Sequence, residues 1–284
     1  MLAPIPPPPS IKKEEQGDFI RLLFLGDSSR YMPQLSTSAI LIRRIDYGDY
    51  DLILTLFSLN HGKMSVIAKS AKKSSRRFAG VLELFSEMDA VISTGRGLPV
   101  LQEASLKNPF ARIRVHPSSL AYASYWAELI QDWMEAQVAQ AELYRLLRYV
   151  LGELDQERIP AAVLSIVFQM RFLRLSGHSP NLECCVGCRW EMTAIRPGAI
   201  GVDVAKGGIA CPACCSAVDD VQYLSKGTIK QLLWVSGGDL GRAGRMKFSP
   251  QAIDESQEFL ERFVPHHLGR QPRSLRVLRQ LRGG

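Results

Sequence analysis

Two short cysteine pairs, Cys185-Val186-Gly187-Cys188 and Cys211-Pro212-Ala213-Cys214, constrain this chain more than any other feature. A CxxC loop points two sulfurs at one centre, and two such knuckles close a tetrahedron around zinc with no position left for water. A closed site of this kind folds the chain and does not catalyse. All six cysteines (Cys184, Cys185, Cys188, Cys211, Cys214 and Cys215) fall within one 32-residue window, so rival readings compete for the same atoms. Disulfides call for an oxidising compartment, yet no apolar leader opens the chain, and Arg21 interrupts the short run 19–25. A catalytic zinc of the deaminase type requires H-x-E followed by P-C-x-x-C. Here Ser179 and Pro180 follow His178 and Ala210 precedes Cys211, so both halves fail. The expectation is one structural Zn2+ on Cys185, Cys188, Cys211 and Cys214. Cys184 or Cys215 could each replace its neighbour through a CxxxC spacing.

With 284 residues and 46% hydrophobic content, the chain can bury a large core and exceeds the usual single-domain length. No apolar run is long enough to span a membrane, and with no secretion signal the expected location is cytoplasmic. The formal charge of +7 points to an acidic partner, nucleic acid first. Its placement says more. No acid occurs from His61 to Leu82, where Lys63, Lys69, Lys72, Lys73, Arg76 and Arg77 fall within 15 residues. After Glu261 the chain is again acid-free and carries Arg262, Arg270, Arg273, Arg276, Arg279 and Arg282. Either run alone reads as a solvated face, but two such runs favour a shared anionic ligand.

Residues 1–35 read as a disordered tail, with Pro6 to Pro9 and then mixed charges; Met32 is a second candidate start. From Ser36 short β-branched and apolar segments predict five strands at 39–45, 52–58, 63–68, 82–92 and 98–104. Turn signals separate them at Asp46-Tyr47-Gly48-Asp49, Asn60-His61-Gly62 and Gly95-Arg96-Gly97. Five short strands suit a small closed barrel, which leaves no sheet edge exposed. Period 2 puts Lys63, Ser65, Ile67 and Lys69 on one face of the third strand, with Met64, Val66 and Ala68 on the core face. The Ser-, Lys- and Arg-rich segment 70–80 should be a mobile loop extending the charged face.

Beyond Pro117 the period becomes helical. Tyr122, Trp126, Leu129, Ile130 and Trp133 share a stripe behind a Ser118 or Ser119 cap, and Leu143, Leu146, Leu147, Val150, Leu151 and Leu154 form another. A third helix starts near Pro160 and buries Val163, Ile166, Val167, Met170 and Leu173 before Gly177. Segments 226–235, 253–263 and 274–281 again read as helices. These stripes are bundle core. The resulting class is α+β: a barrel over 36–112, a helical domain over 113–180 and 216–284, and the zinc insertion at 181–215.

Several strings then resemble the bacterial RecO family of recombination mediators. They are Ala39-Ile40-Leu41-Ile42-Arg43-Arg44-Ile45-Asp46-Tyr47-Gly48-Asp49, Leu54-Thr55-Leu56-Phe57 with His61-Gly62-Lys63, and Ile67-Ala68-Lys69 with a basic loop ending at Arg77-Phe78. Tyr122-Ala123-Ser124-Tyr125, Met170 to Pro180, Gly207-Gly208 and Arg273-Ser274-Leu275-Arg276-Val277-Leu278 continue it over most of the chain. The resemblance implies an N-terminal OB-fold, binding of single- and double-stranded DNA, strand annealing, and loading of recombinase onto strands coated by single-strand-binding protein. It also implies a bacterial, nucleoid-associated location, with RecR and the acidic C-terminal tail of single-strand-binding protein as partners. Ser70 departs from a family glycine, Gln169 from an expected acid, and the Pro-rich tail has no counterpart. Some relatives lack the cysteines, which favours a structural metal.

The expected DNA-binding set is Arg43, Arg44, Lys63, Lys69, Lys72, Lys73, Arg76 and Arg77, with Tyr47, Tyr50, Phe57 or Phe78 as stacking residues and Phe57 the best core candidate. Phosphate neutralisation releases counterions, and two strands held on one cationic surface repel each other less, so no bond chemistry is required. Neither GxxxxGK[ST] nor HExxH occurs, so no ATPase or zinc protease is indicated, and the chain is expected not to be an enzyme. Two alternatives remain. Asp46, Asp49 and Asp51 could serve a metal-dependent nuclease, although acids in a turn more often brace the bend. The basic faces could instead meet acidic protein tails, making the chain a binding scaffold.

Overall fold

The β-forming half comes first and closes on itself. In the computed structural model, β1 (Gln34–Tyr47), β2 (Asp51–Ser58), β3 (Gly62–Ala68), β4 (Glu87–Ser93) and β5 (Val100–Asn108) form a closed barrel in the order β1-β2-β3-β5-β4. The structure describes residues 33–73, 77–78, 80–195, 199–215 and 221–283. Nearly all of the expected tail therefore lies outside the described residues, and β1 begins at Gln34. Neighbouring strands are antiparallel except β3 and β5, which meet in parallel with Ile67 opposite Val100. Ala39, Leu41, Leu54, Leu56, Met64, Val66, Met88 and Ile92 fill the interior. Ser65 and Lys69 are exposed on the other side of β3, as period 2 requires.

The run 82–92 predicts one strand, but β4 starts only at Glu87. Phe85 takes a left-handed φ of 70° and donates its amide to the Leu41 carbonyl, while the Leu41 amide donates to the Ser86 carbonyl, so this stretch is a buried turn. Phe78, Val81 and Leu82 join the barrel interior, and Phe85 joins the helical core. An apolar run that fills a barrel has the same composition as a buried strand.

After the barrel come α1 (Ala111–Val115), α2 (Pro117–Trp133), α3 (Ala141–Asp155) and α4 (Ala161–Leu175). A small sheet follows, built from β6 (Ala199–Asp203), β7 (Gly208–Ala210) and β8 (Gln222–Ser225) in the order β7-β6-β8, with α5 (Pro212–Cys215) between β7 and β8. The chain ends in α6 (Lys226–Ser236), α7 (Leu240–Gly244), α8 (Pro250–Leu268) and α9 (Arg273–Gly283). Neither Ser118 nor Ser119 caps α2: Pro117 holds the first turn, and the N-cap His116 makes no side-chain cap bond. Ser225 and Ser249 do cap α6 and α8, accepting from the Thr228 and Ala252 amides at 3.2 and 3.1 Å.

One apolar core runs through the helices and reaches both neighbours. Ile40, Ile42 and Phe57 bring it the outer barrel face, and Cys185, Ile200, Val202 and Ile209 bring it the small sheet. Buried Glu87 of β4 ties barrel to helices by accepting from the Tyr144 hydroxyl at 2.9 Å and the Arg148 Nε at 3.0 Å. Gln169, in the place of an expected acid, is buried and accepts from the Tyr125 hydroxyl at 3.0 Å. Among the described residues, no helix is long and apolar enough to cross a membrane.

Candidate metal centre and nucleic-acid interface

The loop 185–188 and the start of α5 bring Cys185, Cys188, Cys211 and Cys214 together, every sulfur within 4.8 Å of the others. Cys188 and Cys211 lie 3.7 Å apart. A tetrahedron with metal–sulfur bonds of about 2.3 Å needs sulfurs about 3.8 Å apart, so the four thiols fit one zinc ion. Cys184 lies beside Asn181 and Cys215 behind Gly201, both outside the quartet, so neither replaces its neighbour. The six cysteines form no disulfide.

Backbone donors prepare the centre for thiolate. The amides of Gly187 and Cys211 point at the Cys185 sulfur at 3.4 and 3.3 Å. Burial pushes this thiol up, but the amides of Cys188, Cys211 and Gly187 outweigh it and hold it down to about 6. Cys214 is pushed up to about 12, chiefly by the thiols of Cys211, Cys185 and Cys188 around it. Four sulfurs this close cannot all ionise unless a cation joins them. Gly187 is required here, because a Cβ would stand 2.8 Å from the Cys214 sulfur. A glycine inside a CxxC loop was the available sequence signal for it.

The second feature is a long hairpin. Beyond Ile42, β1 leaves the helices, and Arg43 through Tyr50 are exposed. Its tip rests on the segment after β3. Ser70 donates its amide to Asp51 at 2.7 Å, Lys72 donates its amide to the Tyr50 carbonyl at 3.0 Å, and the Lys72 ammonium pairs with Asp46 at 3.1 Å. Ser70 has a φ of 55°, in the left-handed region that favours glycine. The Lys73 ammonium lies 3.5 Å from the centroid of the Tyr50 ring. Tyr47 and Tyr50 are 55% and 45% exposed, whereas Phe57 and Phe78 are buried at 0% and 4%. Only the tyrosines can meet a ligand.

The expected cations therefore separate. Lys69, Lys72 and Lys73 gather at the hairpin tip, with Arg43 and Arg44 further down β1. Lys63 does not join them: its ammonium donates to the Gln131 carbonyl of α2, and partial burial lowers its pKa. Arg77 holds the loop end against β5, donating to the Gln102 carbonyl at 2.9 Å. The described part of the expected mobile loop is thus tied down at both ends. Arg76 lies outside the described residues. Asp46 and Asp51 brace the hairpin, and among the described residues only the cysteine quartet gathers three or more metal-ligating side chains.

A five-stranded barrel closed in this order, with the third strand meeting the fifth in parallel, places the chain among OB-fold proteins, which use such barrels for oligomeric ligands. Family comparison narrows this class. Residues 32–110 match the model of the Recombination protein O N terminal, and residues 114–276 that of its C terminal. The chain belongs to the RecO family. It is 45% identical to DNA repair protein RecO of Desulfatibacillum aliphaticivorans over 88% of this chain and 98% of that one. Identity to the protein of the same name from Desulfosudis oleivorans is 41%, covering 88% and 99%. The Anaeromyxobacter sp. (strain K) protein is 31% identical, covering 88% and 98%.

Proposed function

We propose that this chain is a DNA repair and recombination mediator that grips DNA strands on the barrel hairpin and anneals them without bond chemistry. The observation that carries this is the joint exposure of Tyr47, Tyr50, Lys69, Lys72 and Lys73 at one hairpin tip, with Arg43 and Arg44 along the same strand. Lysines neutralise phosphates while tyrosines stack on bases at about 1–3 kcal/mol each. Five phosphate contacts give a slope of log K against log salt of about −3.5 on single strands. Both single- and double-stranded DNA are ligands, because both present the phosphate backbone that these cations neutralise. The metal is one zinc ion bound by Cys185, Cys188, Cys211 and Cys214, with a structural role.

On this reading the chain also works with RecR and helps load recombinase onto strands coated by single-strand-binding protein. A cleft of about 480 Å³ suits that protein's acidic tail, with Val163, Phe248 and Ile253 as apolar lining and Arg245 and Lys247 as basic rim. The test is annealing of labelled complementary strands, with and without single-strand-binding protein and magnesium, by the unaltered chain and by Lys72→Glu/Lys73→Glu. Duplex formation that the variant loses supports the reading. Strand cleavage with magnesium would instead establish the nuclease, and no affinity for oligonucleotide at low salt would leave the scaffold.

A further inference from the structure

Arginines of β1 and of the acid-free C-terminal stretch meet at a second cleft, away from the hairpin tip. It has a volume of about 470 Å³ and lies between β1, α2 and the start of α9, with Arg43, Arg44, Arg270 and Arg273 on its walls. Its acids are already engaged. Glu128 of α2 accepts the amides of Arg273 and Ser274 at 2.9 and 2.8 Å, closing the first turn of α9, and Asp132 pairs with Arg270. Arg44 donates to the Leu82 carbonyl at 3.0 Å and faces Glu83 at 3.4 Å.

Two guanidinium groups are left over. Arg43 and Arg273 are both exposed, and among the described residues neither side chain has an acid or carbonyl partner. They come from opposite ends of the chain, yet they line one cleft. Without a ligand the Arg43 and Arg273 guanidinium groups share this cleft with no anionic partner of their own among the described residues. A phosphodiester returns charge-assisted, often bidentate hydrogen bonds to guanidinium. Arg43 also stands four residues from Tyr47 on β1, about 13 Å at 3.3 Å per residue. That span lies within one bound strand, since OB-folds hold about 4–16 nucleotides.

We propose that this cleft is a phosphodiester-binding site in which Arg43 of the barrel and Arg273 of α9 hold the strand whose neighbouring nucleotides cross the hairpin tip. The proposal rests on the reading of the hairpin above and extends it: the C-terminal helix becomes part of the nucleic-acid track. The α9 start is fixed by its backbone and Ser274 on Glu128, so the Arg273 side chain can change without loss of the helix.

The test is anisotropy titration of a labelled oligothymidine of about 15 nucleotides against salt, with the full chain. Arg273→Gln should weaken binding about fivefold at 0.1 M salt and flatten the salt slope by about 0.7, the share of one phosphate; Arg43→Gln/Arg273→Gln should double the slope change. Arg273→Lys should restore the slope, and the melting temperatures of all three variants should match the unaltered chain. A slope unchanged in the double variant, while Lys72→Glu/Lys73→Glu still weakens binding, overturns the cleft and leaves the hairpin reading intact. An unaltered chain that binds no strand at low salt overturns both.

Discussion

Gly62 opens β3 at the point where barrel and helices touch. Its φ of 64° lies in the left-handed region, and a Cβ would collide with the Val138 carbonyl after α2. The same contact fixes Lys63, whose carbonyl accepts from Gln137 at 2.8 Å. Replacement by alanine combines backbone strain with a clash against an atom that cannot rotate away. Gly62→Ala should therefore cost about 2–3 kcal/mol, read as a lower urea midpoint at unchanged slope. An unchanged midpoint would show that this junction is loose. The sequence marks Asn60-His61-Gly62 as a turn, but nothing local announces Val138 or sets Lys63 apart from the hairpin-tip lysines. Composition gives the charge of a lysine; only the fold shows that Gln131 holds it.

At the level of elements, the five strands, the long helices and the clustering of four cysteines were legible because each has a short-range period or spacing. The small sheet β7-β6-β8 and the short helices α1 and α7 were not, since strands of three to five residues are too short to show a period. Charged contacts between elements, equally invisible in sequence, hold these pieces. Glu255 of α8 accepts from the Ser225 amide at 2.8 Å and from Gln251 at 2.7 Å, fastening β8 and the first turn of α6. Burial pushes this carboxyl upward, but the donors Thr228, Ser225 and Gln251 prevail and hold it below its usual 4.5. A carboxylate depressed in the folded state contributes stability that is fully present above pH 4.5 and lost as pH falls through the lower folded value. Protection of the Ser225 amide from hydrogen exchange should fall on acidification from about pH 6 to about pH 3. Glu255→Gln should lower protection at the upper pH and abolish most of this dependence. Equal acid sensitivity in the variant would assign the effect to another group.

For the whole molecule, the two cores divide the labour. The barrel interior is filled by its own residues, while the helical core continues into Cys185, Cys211 and Cys215 at the cysteine cluster. All four tryptophans, Trp126, Trp133, Trp190 and Trp234, fall after the barrel, and Trp190 stands two residues beyond Cys188 of the cysteine cluster. Tryptophan emission therefore reports on the helical half alone. Structural zinc contributes about 10–16 kcal/mol in small sites of this kind, so chelation should unfold the segment 181–215 and shift tryptophan emission to the red. The arginine cleft borders α2 and the start of α9, and the hairpin belongs to the barrel, so neither shares a partner with the cysteines. Independent sites couple by no more than about 0.5 kcal/mol, which keeps oligonucleotide affinity within about twofold after chelation. Emission and affinity measured on one chelator titration would check this. If affinity collapsed at the chelator concentration that shifts the emission, the metal would have to act on the nucleic-acid track itself.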